Sequence, residues 1–398
     1  MAKQSIANQM LNKIMGAATL SVLLALPPAS AYADNPGTGQ TSQGQELNIL
    51  IDEAVIGAAV NWQGQTLPIN GTTAIGSLEG QANVLYVVDV SGSASGPTGQ
   101  DCDGSGVVDN ADDFNGNGSI GDTLDCEISG VLALNDSLTS NATVSAGLVL
   151  FGSSAAIADI DPRDGDQNFT TPLNVDHNSN GDADIAEVAK SLTGGAISLF
   201  TNRFVGGSTD FDDAIESVNQ AFAPVALGNN VTFFLSDGQS NIDMRDNSPL
   251  ADAKAAGTVI HTYSIGSGAT GCDEGEALRT IADETSGTCT EVPDPTQLRI
   301  ELPNTRPHDI DRVEVVAGAS GTLTTTLNAV GQWATIIPQI FVQLPLPVTA
   351  TVYATDRTAV SADILIVAPT PLEIVPEPES DIDEQNVLPV KVFLPFVQ

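Results

Sequence analysis

The sequence predicts an α/β protein: a doubly wound, mostly parallel sheet, with a β-sandwich-like module built from the segments on either side. Three observations carry this expectation. Continuous apolar runs of strand length recur at 84–88, 144–151, 231–235 and 259–265, as in strands buried on both faces. Helix-period segments at 128–138, 185–200, 211–222, 250–256 and 274–285 alternate with them. Shorter alternating runs with Gly and Asn-Gly breaks flank the block on both sides.

Taken in order, residues 1–33 read as a secretory signal peptide. Lys3 and Lys13 make a basic start, 14–26 an apolar stretch, and Ala31-Tyr32-Ala33 an A-x-A cleavage site before Asp34. A membrane anchor is the alternative, but the apolar core is short for a span. No later segment has the roughly 18 uninterrupted apolar residues of a transmembrane helix. The expectation is a secreted or cell-surface protein, cleaved near Ala33-Asp34, with no transmembrane span in the mature chain. Residues 34–45 form a polar Gly/Pro stretch expected to be a disordered linker. Residues 46–82 read as a few β-strands, 83–298 as the α/β domain, 299–368 as β again, and 369–398 as a Pro- and acid-rich linker and tail.

Composition narrows the function. The 398 residues are 41% apolar and carry 50 acids against 13 bases, a formal charge of −37. That charge repels nucleic acid and anionic membrane and favours cations. Three histidines (His177, His261, His308) leave little material for a zinc enzyme or a histidine-based triad. There is no G-x-S-x-G elbow and no H-E-x-x-H pair, so the protein is expected not to be an enzyme. In an oxidising compartment the four cysteines favour nearest-neighbour disulfides, Cys102–Cys126 and Cys272–Cys289, over free thiols.

Oxygen-bearing residues gather where strands give way to loops. The first buried run ends in Asp89-Val90-Ser91-Gly92-Ser93, a later one in Ser236-Asp237-Gly238, and Gly206-Gly207-Ser208-Thr209 opens a helix between them. Ligands of doubly wound sheets bind at this carboxyl edge. Two carboxylates and three hydroxyls suit a hard cation such as Mg²⁺; a plain strand-to-turn cap is the alternative for D-V-S-G-S alone.

D-V-S-G-S, G-G-S-T-D-F-D-D-A-I and F-L-S-D-G occur in the order of the three motifs of the von Willebrand factor type A family, which residues 83–293 resemble. The resemblance implies a Rossmann-like fold with a metal-ion-dependent adhesion site. By position, Ser91, Ser93 and Thr209 would bind Mg²⁺ or another divalent ion directly, and Asp89 and Asp237 through water. It further implies an open coordination position for a carboxylate offered by a protein partner, an extracellular-matrix or surface component. Family members often carry the domain within or beside β-sandwich stalks. Since 46–82 and 299–368 are each short of a complete sandwich, they either pair into one split sandwich or form a separate hairpin and sandwich. The departure from the family lies after the first motif, where about 33 residues precede Glu127-Ile128-Ser129.

Those residues, within the insertion 97–127, read as calcium loops resembling thrombospondin type-3 or dockerin repeats. In the first, Asp101, Asp103, Ser105, Val107 (carbonyl), Asp109 and Asp112 occupy the ligand positions of a twelve-residue loop, with Gly106 at the sharp turn. The second begins Asp113, Asn115, Asn117, Gly118; Leu124 falls on its last ligand position, so Asp122, Asp125 or Glu127 would substitute. A third, in the insertion 159–187, offers Asp176, Asn178, Asn180, Asp182 (carbonyl), Asp184 and Glu187. Two to three Ca²⁺ ions are expected, against the alternative of solvated acidic loops. The functional expectation is a metal-dependent adhesion or protein-binding module. The alternative is a calcium-stabilised structural component of the cell surface with no active adhesion site.

Overall fold

The computed structural model of the chain describes residues 31–33, 37–42, 46–51, 66–75, 82–96, 98–139, 144–163, 165–197, 199–200, 202–225, 229–238, 248–305, 310–328, 330–338 and 345–366. The expected leader up to residue 30, the strand-like run at 55–62 and the tail at 369–398 lie outside the described residues.

A six-stranded sheet forms the centre. Its strands are β1 (Ala82–Asp89), β2 (Val144–Phe151), β3 (Ala155–Ile157), β4 (Asn229–Ser236), β5 (Val259–Ile265) and β6 (Cys289–Val292), in the spatial order β6-β5-β4-β1-β2-β3. All neighbours are parallel except β3, which returns antiparallel on β2. From β1 the chain steps outward to β2 and β3, then reappears on the other side of β1 as β4. The order therefore reverses between β1 and β4, the crevice where such sheets bind ligands.

Helices cover both faces, as the apolar strands require. Alternate residues of β1 point to opposite sides. Val84, Tyr86 and Val88 pack with α1 (Thr123–Leu138), α2 (Asp184–Lys190) and α6 (Leu298–Asn304). Leu85 and Val87 pack with α3 (Phe211–Phe222), α4 (Ser248–Ala255) and α5 (Ala277–Glu284). Each large aliphatic side chain buried here contributes roughly 1.5–3 kcal/mol.

The flanking segments make one β-sandwich. One five-stranded sheet orders Ala31–Ala33, Ala359–Ile366, Leu346–Ala354, Ile310–Ala317 and Thr322–Thr324; the other orders Thr326–Leu327, Gln332–Ile337, Leu67–Ile75, Glu46–Ile51 and Gly37–Gln40. Leu47, Ile49, Leu67 and Ile69 from before the α/β domain share a core with Val313, Val315, Trp333, Val348 and Val352 from after it. The run 322–327 splits at Thr325, where the chain passes from one sheet to the other.

Four expectations are corrected. The helix expected at 185–200 ends at Lys190. Leu192–Thr193 and Ala196–Ile197 form a hairpin around Gly194-Gly195, and glycines favour the turn over a continued helix. α1 begins at Thr123, five residues before the expected start, because Asp122 and Asp125 cap it reciprocally. The boundary expected at 298/299 falls inside α6, whose Leu298 and Leu302 are buried against α1 at Gly130. Within the expected linker, Gly37–Gln40 is an edge strand. A Cβ at Gly37 would lie 2.1 Å from the Ser361 carbonyl oxygen, and one at Gly39 2.5 Å from Val360, so only glycine lets this strand approach the facing sheet.

Candidate metal centre

The end of β1 delivers Asp89, wholly buried, and the following turn delivers Ser91 and Ser93. The Ser91 amide donates to Asp89 Oδ1 (2.9 Å), and the Ser91 and Ser93 hydroxyls are 2.9 Å apart. The end of β4 delivers Asp237, whose Oδ1 accepts from Ser93 Oγ at 2.9 Å. Ser236 Oγ donates to Asp89 Oδ2 (2.6 Å), so both oxygens of Asp89 are held. Ser236 was part of the motif, but nothing in the motif assigned it this role.

Thr209 arrives on the loop before α3. The Gly92 amide donates to the Gly207 carbonyl (2.9 Å), the Ser208 amide to Ser153 Oγ (3.0 Å) and the Asp210 amide to the Gly152 carbonyl (2.8 Å). Asp210 caps α3 through the amides of Asp212 and Asp213. Thr209 is thereby buried beside the serine turn. Asp89, Ser91, Ser93 and Asp237 are joined by hydrogen bonds at the switch point between β1 and β4, and Thr209 follows two residues after Gly207, which is bonded to the serine turn.

Electrostatics favour a cation there. Burial, then the neighbouring Asp237, pushes Asp89 up to about 7, against the hydrogen bonds from Ser236 and Ser91. Burial also raises Asp237, partly offset by Ser93. Glu127, on the second turn of α1, is raised by burial and then by Asp89, Asp237 and Asp122. No base counts among the groups acting on these three carboxylates. Buried carboxylates without a basic partner, in an all-oxygen setting, fit a hard divalent ion: Ser91, Ser93 and Thr209 would hold it, with Asp89 and Asp237 behind.

The first loop is wound around its own carboxylates. Asp101, Asp103 and Asp112 each place a carboxylate oxygen within 4.8 Å of the others. The Gly106 amide donates to Asp101 Oδ2 (2.7 Å) and the Ser105 amide to Asp103 Oδ1 (2.8 Å). The amides of Asp103 and Asp109 donate to the two oxygens of Asp112 (3.0 and 2.9 Å). Ser105 Oγ donates to the Val107 carbonyl (3.0 Å), and Asp109 Oδ1 accepts from the Ala111 amide (2.8 Å). Gly106 has φ +87°, a value that disfavours residues with a Cβ.

The second loop repeats this wiring one residue longer. The Gly118 amide donates to Asp113 Oδ2 (3.1 Å), the Asn117 amide to Asn115 Oδ1 (3.0 Å) and the Ser119 amide to Asn117 Oδ1 (2.6 Å). The amides of Asn115 and Asp122 donate to the two oxygens of Asp125 (3.3 and 3.2 Å). Asp125 therefore stands where Asp112 stands in the first loop, and Asp122 where Asp109 stands. Leu124 is buried in the core, and Glu127 points elsewhere.

In the third loop Gly181, Asn180 and Asp182 donate their amides to Asp176 Oδ2 (2.9 Å), Asn178 Oδ1 (3.0 Å) and Asn180 Oδ1 (2.9 Å). Glu187 accepts from the side-chain amides of Asn178 (2.7 Å) and Asn180. Asp184 does not join them. It is fully buried, and its oxygens take the His177 amide (3.0 Å) and His177 Nδ1 (2.5 Å). This corrects its place among the expected ligands: the start of α2 turns it into the loop's base.

The cysteines pair as Cys102–Cys126 and Cys272–Cys289. The first bond ties the first loop to α1, and Arg299 of α6 donates to the Asp103 carbonyl, a clasp no motif announced. Beside Asp237 opens a cleft of about 500 Å³, lined by Gln100 and Thr123 on one side and by Gly266, Gly268 and Thr270 on the other.

Among solved structures, the fold is similar to "von Willebrand factor type A from Catenulispora acidiphila" (12% identity, 85% of this chain, 75% of that chain, TM-score 0.37). It is similar also to the "ArnB paralog VWA2 from Sulfolobus acidocaldarius" (14% identity, 81% and 76%, TM-score 0.33). A third is proximal thread matrix protein 1 from the mussel byssus "with zinc occupied MIDAS motif" (13% identity, 56% and 46%, TM-score 0.34); the chain spans less than half of that protein. These TM-scores are too low to carry a functional argument. No protein-family model matches the sequence, and no curated protein matches it. Among the described residues, no helix is long and apolar enough to cross a membrane.

Proposed function

We propose that the protein is an exported, non-enzymatic adhesion or protein-binding module that captures a carboxylate of a partner through Mg²⁺ held by Ser91, Ser93 and Thr209. The observation that carries this reading is the convergence of Asp89, Ser91, Ser93 and Asp237 in one hydrogen-bonded cluster at the sheet's switch point, with no base acting on its carboxylates. The chemistry follows from the donor set. Neutral hydroxyls in direct contact leave the ion electrophilic, and a partner's carboxylate then supplies the charge the ion lacks. Calcium in the loops 101–112, 113–125 and 176–187 would order the rim of the cleft beside it, since uncompensated carboxylates repel one another.

Asp89→Ala and Thr209→Ala test the reading. Each abolishes Mg²⁺-dependent retention of surface proteins on the immobilised chain while circular dichroism stays unchanged. Retention that persists in both variants and in chelator contradicts it. A calcium-stabilised structural role is the second reading, favoured by the closeness of Asp101, Asp103 and Asp112, which needs no adhesion site.

A further inference from the structure

We infer that Glu127 is a further member of the metal centre, accepting hydrogen bonds from water carried by the ion that Ser91, Ser93 and Thr209 would hold; this rests on the metal reading above. The Leu124 amide donates to the Ala94 carbonyl at 2.9 Å, which pins the first turn of α1 to the loop bearing Ser91 and Ser93. Glu127 stands one turn further along α1, near enough to Asp89 for that residue's backbone amide to act on its carboxylate. Its side chain is wholly buried, and neither carboxylate oxygen has a hydrogen-bond partner. The charges that bear on it are the carboxylates of Asp89, Asp237 and Asp122.

A buried carboxylate is costly to keep when its one nearby donor, the Asp89 backbone amide, falls short of a full hydrogen bond and its charged neighbours are three carboxylates. A hydrated divalent ion supplies both missing elements, positive charge and O–H donors. The centre would then set three carboxylates around one divalent ion instead of two. It would hold the ion more tightly before any partner arrives, and would attract the partner's carboxylate less strongly.

The test titrates Mn²⁺, at a fixed calcium concentration, into the full chain, Thr209→Ala, Glu127→Gln and Glu127→Asp, with bound ion read by electron paramagnetic resonance. Thr209→Ala should lose one Mn²⁺ site. Glu127→Gln should keep that site and weaken it 10–100-fold, the usual effect of removing an outer-shell partner. Glu127→Asp, which keeps the charge one methylene further back, should fall between the unaltered chain and Glu127→Gln, and covers the case of a misfolded glutamine variant. Wild-type affinity in either folded Glu127 variant overturns the inference. Retention of the site by Thr209→Ala overturns the metal reading itself, a separate outcome.

Discussion

Ser93 and Asp237, 144 residues apart in sequence, are joined by a 2.9 Å hydrogen bond from the serine hydroxyl to the carboxylate. The bond closes the gap between the loops that follow β1 and β4. Ser93 is exposed, so the bond itself contributes little to folding. On the proposed reading, its use is to hold a hydroxyl and a carboxylate at ligand spacing. Ser93→Ala removes one of the three proposed direct ligands and should abolish measurable Mg²⁺ binding, as Thr209→Ala should. Unfolding free energy should change by less than about 1 kcal/mol. Calorimetric titration and thermal melts of the same preparation check both halves.

The metal-free protein should lose stability as pH rises. Burial, followed by Asp237, holds Asp89 up at about 7, and burial, followed by Asp122, holds Asp125 up at about 7. Both values lie above that of an unfolded Asp, about 3.9. The folded chain therefore binds more protons between about pH 4 and pH 7, and stability falls across that window as pH rises. In chelator the melting temperature at pH 5.5 should exceed that at pH 7.5. With Ca²⁺ and Mg²⁺ the difference should shrink, since ions take over the protons' role. A melting temperature that climbs with pH in chelator contradicts the account.

Asp112 and Asp125 are equivalent closers of successive loops. Asp112→Ala and Asp125→Ala should each lower the calcium stoichiometry by one, measured by atomic emission on dialysed protein. Chelation of the unaltered chain should open 97–127 to protease. Asp122→Ala should add a lost helix cap, about 1 kcal/mol.

The sandwich depends on a close approach at Gly71. A Cβ there would meet the Leu50 carbonyl oxygen at 2.0 Å and the Trp333 ring at 2.5 Å. Gly71→Ala should destabilise the sandwich by about 1–3 kcal/mol, the range of an overpacked core site. A red-shifted Trp333 emission in the variant would report the displaced ring.

Residues 296–370 expressed alone should show no cooperative melt by calorimetry. The sheet facing theirs takes Leu47, Ile49, Leu67 and Ile69 from the other end of the chain. A sharp transition in the isolated fragment would show that those strands are dispensable.

The sequence by itself determined the doubly wound sheet and the strand-end motifs that meet at its switch point. Buried parallel strands need unbroken apolar runs, and an oxygen-ligand motif is a local spacing that survives without tertiary context. It also placed the loop glycines, because a positive φ is a local demand. Only the tertiary structure decided that Asp125 closes the second loop, that Asp184 turns to His177, that α6 belongs to the α/β core and that Glu127 faces Asp89 and Asp237. Each of these depends on what lies across the fold. An acid in a helix looks the same in sequence whether it meets water, a histidine or two other carboxylates, and only packing tells them apart.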